Sequence, residues 1–318
     1  MFPRTLSSLT FALALALPLF TRAADDTFIE PGQAGPDFAA QGEYVGDNCG
    51  AQVIALGDGK FHIVGWGKGL PGAAPDAEKK FEIDGAREGD KVVFSSKEWK
   101  VEISAAGELS GTNEEGKTYQ LKHTLRESPT LGAKPPAGAT VLFDGTNADE
   151  WAGGKMDDRK FLQCGTKSKK EFGDCTLHIE FRTPFKPAAR GQGRGNSGVY
   201  LQDRYECQVL DSFGLKGENN EAGGIYTISK PKLNMCFPPL SWQTYDIDFE
   251  AAKYEGDKKV KNAILTVKHN GVLVQDHVEA DHATTAAGRK EGPEPGPIQL
   301  QNHGNPVFFK NIWIVEKK

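Results

Sequence analysis

Short apolar runs whose residues alternate with polar ones recur along most of the chain, and turns rich in glycine and proline separate them. Alternation with a period of two is the pattern of a β-strand that buries one face. In the second half of the chain, such runs occupy residues 141–143, 161–164, 175–182, 197–202, 205–210, 224–228, 243–250, 263–269, 272–277, 298–301 and 307–315. Asn270-Gly271 lies between two of them and is the strongest signal for a type I′ hairpin turn. Many short strands at close spacing predict two packed antiparallel sheets, in a jelly roll or a related sandwich.

A smaller group of strand-like runs lies nearer the N-terminus, within residues 41–126, where no segment has the apolar period of an amphipathic helix. Residues 127–138 are rich in proline and glycine, which is typical of an extended, semi-rigid linker. We therefore predict an all-β protein: a β-rich accessory domain of open role at 25–126, this linker, and a jelly-roll domain at 139–318.

The first 24 residues have the pattern of a secretory signal peptide. Arg4 precedes an apolar run at 9–20 that is short for a bilayer span, and small residues precede a cleavage point after Ala23 or Ala24. A retained N-terminal anchor is the alternative. We predict that residues 1–24 are removed and that the protein is exported, to the periplasm or outside the cell. No later segment is apolar enough to predict a membrane span.

The amino-acid composition limits the kinds of ligand and partner molecule that the protein is expected to bind. A hydrophobic share of 38% and a charged share of 25% are typical of soluble globular proteins. The net charge is −5 and no stripe of basic residues occurs, so nucleic acid is not a predicted partner. The number of cysteines is odd and no C-x-x-C spacing occurs, which argues against a zinc knuckle or a redox dithiol. The plausible disulfide pairs are Cys164–Cys175 and Cys207–Cys236.

Candidate chemistry lies in the strand at 205–210, the second half of a predicted hairpin. Its alternation puts Glu206 and Gln208 on one face and Cys207 on the other. A β-bulge after Gln208 would bring Asp211 to the same face, giving a wall of two carboxylates and an amide. The alternative is a polar face that lies in water, as in many antiparallel sheets.

This strand is one of a series of motifs that extends over nearly all of residues 139–318. In chain order they are Leu142-Phe143-Asp144-Gly145-Thr146 with Trp151, Phe172-Gly173-Asp174, Asn196-Ser197-Gly198-Val199-Tyr200, Tyr205-Glu206-Cys207-Gln208-Val209-Leu210-Asp211, Gly224-Ile225-Tyr226, Trp242-Gln243-Thr244-Tyr245, His269-Asn270-Gly271-Val272 and Gln299-Leu300-Gln301-Asn302-His303-Gly304. Their order and spacing resemble the 3-keto-disaccharide hydrolase domain family. The resemblance implies a concanavalin-A-like jelly roll whose concave face holds a sugar.

The resemblance also implies cleavage of 3-keto-glycosides. A ketone at carbon 3 acidifies the hydrogen on carbon 2, so a base can remove that proton and the bond at carbon 1 breaks by elimination, or water completes a hydrolysis. Such a site needs a base, a group that holds the oxyanion and an acid near the leaving oxygen. We predict Glu206 as the base, with His303 as the acid or the enolate-binding group. Asp211 is a third catalytic candidate, with a turn-capping role as the alternative.

The predicted substrate-binding residues are Gln208, Asn196, Arg204, Gln301, Tyr226 and Trp242. The amides and Arg204 would contact hydroxyl groups or the ketone, and the two aromatic residues would stack on a sugar ring. Purely structural roles, such as a cross-strand amide bond, a charge at a hairpin tip or a buried core ring, are the alternatives.

Some members of the family are associated with a divalent metal, and the sequence leaves that cofactor open. No histidine pair with metal-ligand spacing stands near Glu206, and His277 or His282 would serve only if the fold brought them in, so no metal ligand is predicted. The predicted partner is a glycoside or oligosaccharide, and the oligomeric state stays open. Two other functions fit the same face: a lectin-like module that binds sugar without cleaving it, and a hydrolase of unoxidised β-glucans.

Overall fold

The computed structural model describes residues 26–74 and 77–317, and most regular structure in them is β-strand. The signal peptide predicted at 1–24 lies outside the described residues. A short helix, α1 (Gly35–Ala40), precedes the first strand. In the described part of the chain, no helix has the length and apolar character needed to cross a membrane. The prediction of an all-β protein with a small β-rich unit ahead of a sandwich is confirmed.

The N-terminal unit is a closed antiparallel barrel of eight strands. They are β1 (Gly42–Gly46), β2 (Cys49–Gly57), β3 (Lys60–Gly67), β4 (Glu78–Glu88), β5 (Lys91–Ser95), β6 (Trp99–Ile103), β7 (Glu108–Asn113) and β8 (Thr118–Thr124). Each strand pairs with the next, and β8 returns to pair with β1. Alternate apolar residues such as Phe61 and Ile63 fill the interior. Where β1 begins, α1 and Phe185 from the second unit pack against this barrel core, with Phe185 edge-on to Phe38.

The second unit is a sandwich of two antiparallel sheets. Its strands are β9 (Thr140–Phe143), β10 (Trp151–Ala152), β11 (Leu162–Gln163), β12 (Thr166–Phe172), β13 (Cys175–Arg182), β14 (Ser197–Leu201), β15 (Tyr205–Val209), β16 (Gln243–Glu250), β17 (Lys253–Glu255), β18 (Lys258–Lys261), β19 (Ala263–His269), β20 (Val272–Ala280), β21 (Gly296–Leu300) and β22 (Phe308–Glu316). The smaller sheet has the order β10-β12-β21-β14-β15. The larger has the order β11-β22-β13-β16-β19-β20, with β9 also paired to β22, while β17 and β18 form a separate two-stranded ribbon.

The predicted type I′ turn is confirmed. His269 pairs with Val272, and both Asn270 and Gly271 have positive φ, at 49° and 78°. Only residues that tolerate the left-handed region fit both positions of such a turn. This turn fixes the register of β19 and β20 at one edge of the larger sheet.

The linker predicted at 127–138 lies against the outer face of the larger sheet. Ser128 and Thr130 hydrogen-bond the Thr244 hydroxyl of β16, and the Gly132 N–H donates to Glu180 of β13. Polar contacts therefore hold the first half of the linker, residues 128–133, to the sandwich.

All five cysteines are free. The predicted pairs Cys164–Cys175 and Cys207–Cys236 are wrong because the fold uses these residues differently. Cys175 and Cys207 lie in the core between the sheets, where the thiol is a small apolar filler. Cys236 packs instead in a cluster with Ile54 of the barrel, at the contact between the two units.

Candidate active site on the smaller sheet

The two faces of β15 have different surroundings. Cys207 and Val209 pack between the sheets, so Glu206 and Gln208 point to the outer face, and the predicted alternation is confirmed. That face is covered, since Glu206 is only 2% exposed. The Tyr226 N–H donates to the Glu206 carbonyl from one side, and the Glu206 N–H donates to the Thr284 hydroxyl from the other.

Glu206 has a single strong side-chain contact. The Tyr200 hydroxyl, directly opposite on β14, donates to Glu206 Oε2 at 2.7 Å, and Gln301 Nε2 donates to the same hydroxyl at 3.1 Å. Burial raises the pKa of Glu206 to about 7, although the bond from Tyr200 opposes that rise. Gly198 lies against the other oxygen: a Cβ at this position would come within 2.1 Å of Oε1. The result is a carboxyl group that is fixed through one oxygen and that titrates near neutral pH.

Beside Glu206 lies a group of side-chain amides. Gln192 Oε1 accepts hydrogen bonds from Gln208 Nε2 at 2.9 Å and from Asn196 Nδ2 at 3.0 Å. Two buried amide oxygens on or near this face, Asn196 Oδ1 and Gln299 Oε1, have no partner among the described residues. A buried acceptor without a donor is unfavourable. Hydroxyl groups of a ligand would supply the missing donors.

Asp211 does not join this wall through a bulge, because the pairing of β14 with β15 runs in regular register to Val209, where the strand ends. Asp211 lies beyond that end and is buried. Its Oδ1 accepts the N–H of Phe213 at 3.3 Å, and its Oδ2 accepts Arg194 Nε at 2.7 Å. Of the two roles considered for Asp211, the observed contacts are those of a turn cap and a buried ion pair.

A cleft of about 440 Å³ begins at this ion pair, between the barrel and the sandwich. Arg194 and Asp211 line it on one side, and Ile54, Leu56 and His62 of the barrel line the other. The buried Arg194 Nη2 has no hydrogen-bond partner among the described residues. The cleft therefore offers a charged donor at the end of the strand that carries Glu206.

Two predicted residues lie away from Glu206. The Arg204 guanidinium, at the tip of the β14–β15 hairpin, donates to the carbonyls of Lys290 and Glu294 and so holds a neighbouring loop. Trp242 lies on the outer face of the other sheet, where its ring packs edge-on against Phe161 with a centroid distance of 4.8 Å. A single sequence does not show which sheet a strand joins, and that decides where Trp242 lies.

The other two predicted residues lie on segments that follow strands of the smaller sheet. Tyr226 is half-buried and follows β15 through its backbone contact with Glu206. His303 is exposed, two residues after Gln301, and its imidazole has no hydrogen bond to the rest of the described chain. It lies in the loop that follows β21, at the end of the face that holds Tyr200.

No three His, Cys, Asp or Glu side chains of the described residues group at metal-binding distance, around Glu206 or elsewhere. His277 and His282 each pair with the aspartate that precedes them on the surface.

Sequence analysis missed Tyr200, Gln192 and Gln299. A signal for Tyr200 existed, because a hairpin with a three-residue loop puts it opposite Glu206. Gln192 and Gln299 lie in a loop and on a distant strand, so only the assembled sheet brings them here.

The part of the chain that matches known proteins coincides with the second structural unit. The 3-keto-alpha-glucoside-1,2-lyase-like domain matches residues 138–315, which is most of the sandwich and more than half of the chain. A crystal structure from Parabacteroides distasonis, named "putative glycosyl hydrolase", is 33% identical and covers 57% of this chain and 85% of its own, with a TM-score of 0.53.

Two further structures of that name, from the same organism, are 16% and 20% identical, with TM-scores of 0.42 and 0.40. They cover 61% and 56% of this chain and 99% of their own, and the likeness is too weak to support a conclusion. The chain matches none of the curated proteins. The domain match supports a glycoside hydrolase-like role and confirms the resemblance inferred from the motifs. The chain belongs to the family of 3-keto-alpha-glucoside-1,2-lyase-like domains.

Proposed function

We propose that this protein cleaves 3-keto-glycosides, with Glu206 removing the proton on carbon 2. The observation that carries the proposal is a buried glutamate, on the outer face of the smaller sheet, whose pKa is raised to about 7. A carboxylate with that pKa is a far better base than an exposed one, and about half of it is ionised at neutral pH. Burying it costs folding free energy, which points to a functional reason for the site.

The hydrogen bond from Tyr200 gives the two carboxylate oxygens of Glu206 different roles. Oε2 accepts the Tyr200 hydroxyl, and Oε1 accepts no hydrogen bond from the described residues. Oε1 therefore takes the proton from carbon 2. The electron pair of that C–H bond forms the enolate, and the bond from carbon 1 to the leaving oxygen then breaks.

The remaining groups bind the sugar and complete the reaction. The unpaired oxygens of Asn196 and Gln299 accept hydrogen bonds from sugar hydroxyls. His303, exposed at the end of the same face, protonates the leaving oxygen. The cleft at Arg194 holds the aglycone, because it continues from the end of the strand that carries the base. In the whole reaction Glu206 takes one proton from carbon 2, His303 gives one proton to the aglycone, and an unsaturated keto sugar remains.

The test is incubation of the purified protein in D₂O with a 3-keto-glucoside and with the corresponding unoxidised glucoside. We expect aglycone release from the keto substrate alone, with deuterium at carbon 2 once the product takes up water. Equal release from the unoxidised glucoside, without the label, would contradict the proposal. Binding of either sugar without any product would instead favour a lectin-like role.

The Tyr200→Phe variant is expected to move the acid limb of the pH–rate profile to higher pH. Activity requires ionised Glu206, so kcat/KM rises as pH passes its pKa of about 7. Tyr200 stabilises the ionised form, and its loss raises that pKa further. Tyr205→Phe is the matched control, because Tyr205 lies on the same hairpin as Tyr200 and its hydroxyl donates to Glu291 instead of Glu206. Equal profiles for both variants would mean that the limb does not report Glu206.

The Gly198→Ala variant is expected to lower kcat by about a hundredfold while the fold is kept, because a new methyl group displaces the base. The methyl would overlap Glu206 Oε1, and the backbone at this glycine is not left-handed. Gly111→Ala is the control, since a Cβ there has nothing nearer than 3.7 Å. Circular dichroism checks the fold, and wild-type kcat for Gly198→Ala would mean that Oε1 does not act.

Export is part of the proposal. It is supported by the short apolar run and the small residues ahead of position 24. Mass spectrometry of the protein from its native host is expected to give a mature N-terminus after Ala23 or Ala24. A retained Met1 in the membrane fraction would show an anchor instead.

A further inference from the structure

The mouth of the barrel holds a cavity of about 400 Å³, at the end opposite α1. Three half-buried aromatic side chains line its wall: Phe81, Trp99 and Tyr119. Its floor is apolar and is formed by Ile63, Val101, Leu109 and Leu121. No residue of the wall that carries Glu206 lines it, so this cavity is separate from the candidate active site.

The aromatic wall is arranged as a continuous surface. Phe81 and Trp99 lie with ring centroids 4.4 Å apart and planes inclined by 32°, and Trp99 continues to Tyr119 at 5.5 Å. Phe81 and Trp99 therefore pack partly face to face, and Tyr119 extends this aromatic cluster along the wall. Aromatic rings that stay partly exposed in a concave site are typical of a ligand pocket.

Gly111 of β7 helps to keep the cavity open. A Cβ added there would find nothing nearer than Val101, at 3.7 Å, and the backbone is not left-handed. The backbone conformation therefore does not require glycine at this position. The missing side chain instead leaves free volume in the cavity. An eight-stranded barrel is just wide enough to enclose one small ligand.

The rim of the cavity carries more positive than negative charge. Lys68, Lys80 and Lys117 line it, against Asp47 as the lining carboxylate. Glu78 neutralises Lys80, whereas the Lys117 ammonium lies over the Tyr119 ring, 5.1 Å from its centroid. A ligand with an apolar body on the floor would meet a cation at the mouth.

We propose that the barrel binds a small, flat, apolar molecule that carries an anionic group. The aromatic wall and the apolar floor contact its body and exclude water, and Lys117 attracts the anion at the rim. A free sugar fits poorly, because the floor offers no partners for a ring of hydroxyl groups. This gives the accessory unit a binding role that does not depend on the chemistry at Glu206.

The first experiment titrates the full chain with 8-anilinonaphthalene-1-sulfonate, a flat apolar anion, and follows its fluorescence. We expect saturable binding at one site. Gly111→Val fills the cavity from a strand position that suits a β-branched residue, and it should weaken binding at least tenfold with the melting temperature kept. Gly173→Val, at a half-buried glycine of the sandwich where an added Cβ would meet nothing within 4 Å, is the matched control and should bind as wild type. Unchanged binding by Gly111→Val would overturn the site.

The second experiment tests the anionic group. N-phenyl-1-naphthylamine has the same ring system without the sulfonate and is expected to bind several-fold more weakly. Lys117→Gln should weaken the sulfonate probe and leave the neutral one unchanged, and added salt should act in the same direction. Equal affinity for both probes, or equal loss of both in Lys117→Gln, would overturn the anionic class of ligand.

Discussion

Replacing Glu206 with glutamine is expected to lower kcat on a 3-keto-glucoside by about a thousandfold, the usual contribution of a positioned general base. The Tyr200 hydroxyl donates to Glu206 Oε2 at 2.7 Å, and it can donate equally well to an amide oxygen. The side chain should therefore keep its position and its shape, and only the ability to accept the proton is lost. Initial rates of aglycone release measure the effect, and turnover close to that of wild type would remove Glu206 from the mechanism.

The same substitution is expected to stabilise the folded protein at alkaline pH, by about 3 kcal/mol at most. The pKa of Glu206 is raised in the fold from 4.5 to about 7, so its ionisation opposes folding. Its contribution to stability is complete below the unfolded pKa and is lost as pH rises through the folded one. Glu206→Gln removes that loss, so the two proteins should unfold alike below about pH 4.5, diverge between pH 4.5 and about 7, and differ by a constant amount at higher pH. Urea unfolding at several pH values measures the difference.

Glu180 is a control whose substitution should change the stability in the opposite direction, because its pKa is lowered instead of raised. It is fully buried on the larger sheet, where burial raises its pKa but hydrogen bonds from His178, Asn311 and the Gly132 N–H outweigh that effect and hold the pKa below its usual range. Its ionised form supports folding, so Glu180→Gln should destabilise the protein at neutral pH and much less in acid. A Glu206→Gln variant that behaved in this way would mean that Glu206 is a structural carboxylate.

The local alternation of polar and apolar residues was enough to predict the strands and the direction of their side chains. It was not enough to predict that the N-terminal strands close into a barrel. Alternation along 205–210 placed Glu206 outward correctly, and Asn270-Gly271 fixed its hairpin, because both depend on neighbouring residues. The pairing of β8 with β1 joins segments far apart in the chain, and no local signal encodes it. The barrel could therefore be predicted only as a β-rich unit.

The residues of the candidate site likewise fall into those that local sequence predicts and those that need the tertiary structure. Glu206 and Gln208 could be found because strand alternation sets their direction. The surroundings of Asp211 depend on Arg194, which reaches it from a loop, so the choice between catalysis and turn capping needed tertiary structure. A pKa near 7 likewise depends on what covers the strand, which the sequence of the strand itself does not contain.

The Arg194→Ala variant is expected to destabilise the protein by about 3–5 kcal/mol, the usual cost of leaving a buried charge without its partner. Arg194 is 5% exposed and Asp211 is 1% exposed, with 2.7 Å between Nε and Oδ2. The double variant Arg194→Met with Asp211→Asn leaves no uncompensated charge and keeps an acceptor for the Phe213 N–H, so it should recover most of the stability. Chemical unfolding measures both.

Activity of that double variant then decides what Asp211 does. If the carboxylate only caps the turn and pairs with Arg194, the double variant should keep kcat near that of wild type, and a rise in KM would report the loss of the cation from the cleft. A fall in kcat comparable to that of Glu206→Gln, in a variant that is stably folded, would instead make Asp211 part of the chemistry. The stability and the rate must be measured on the same preparation, because an unfolded fraction would lower both together.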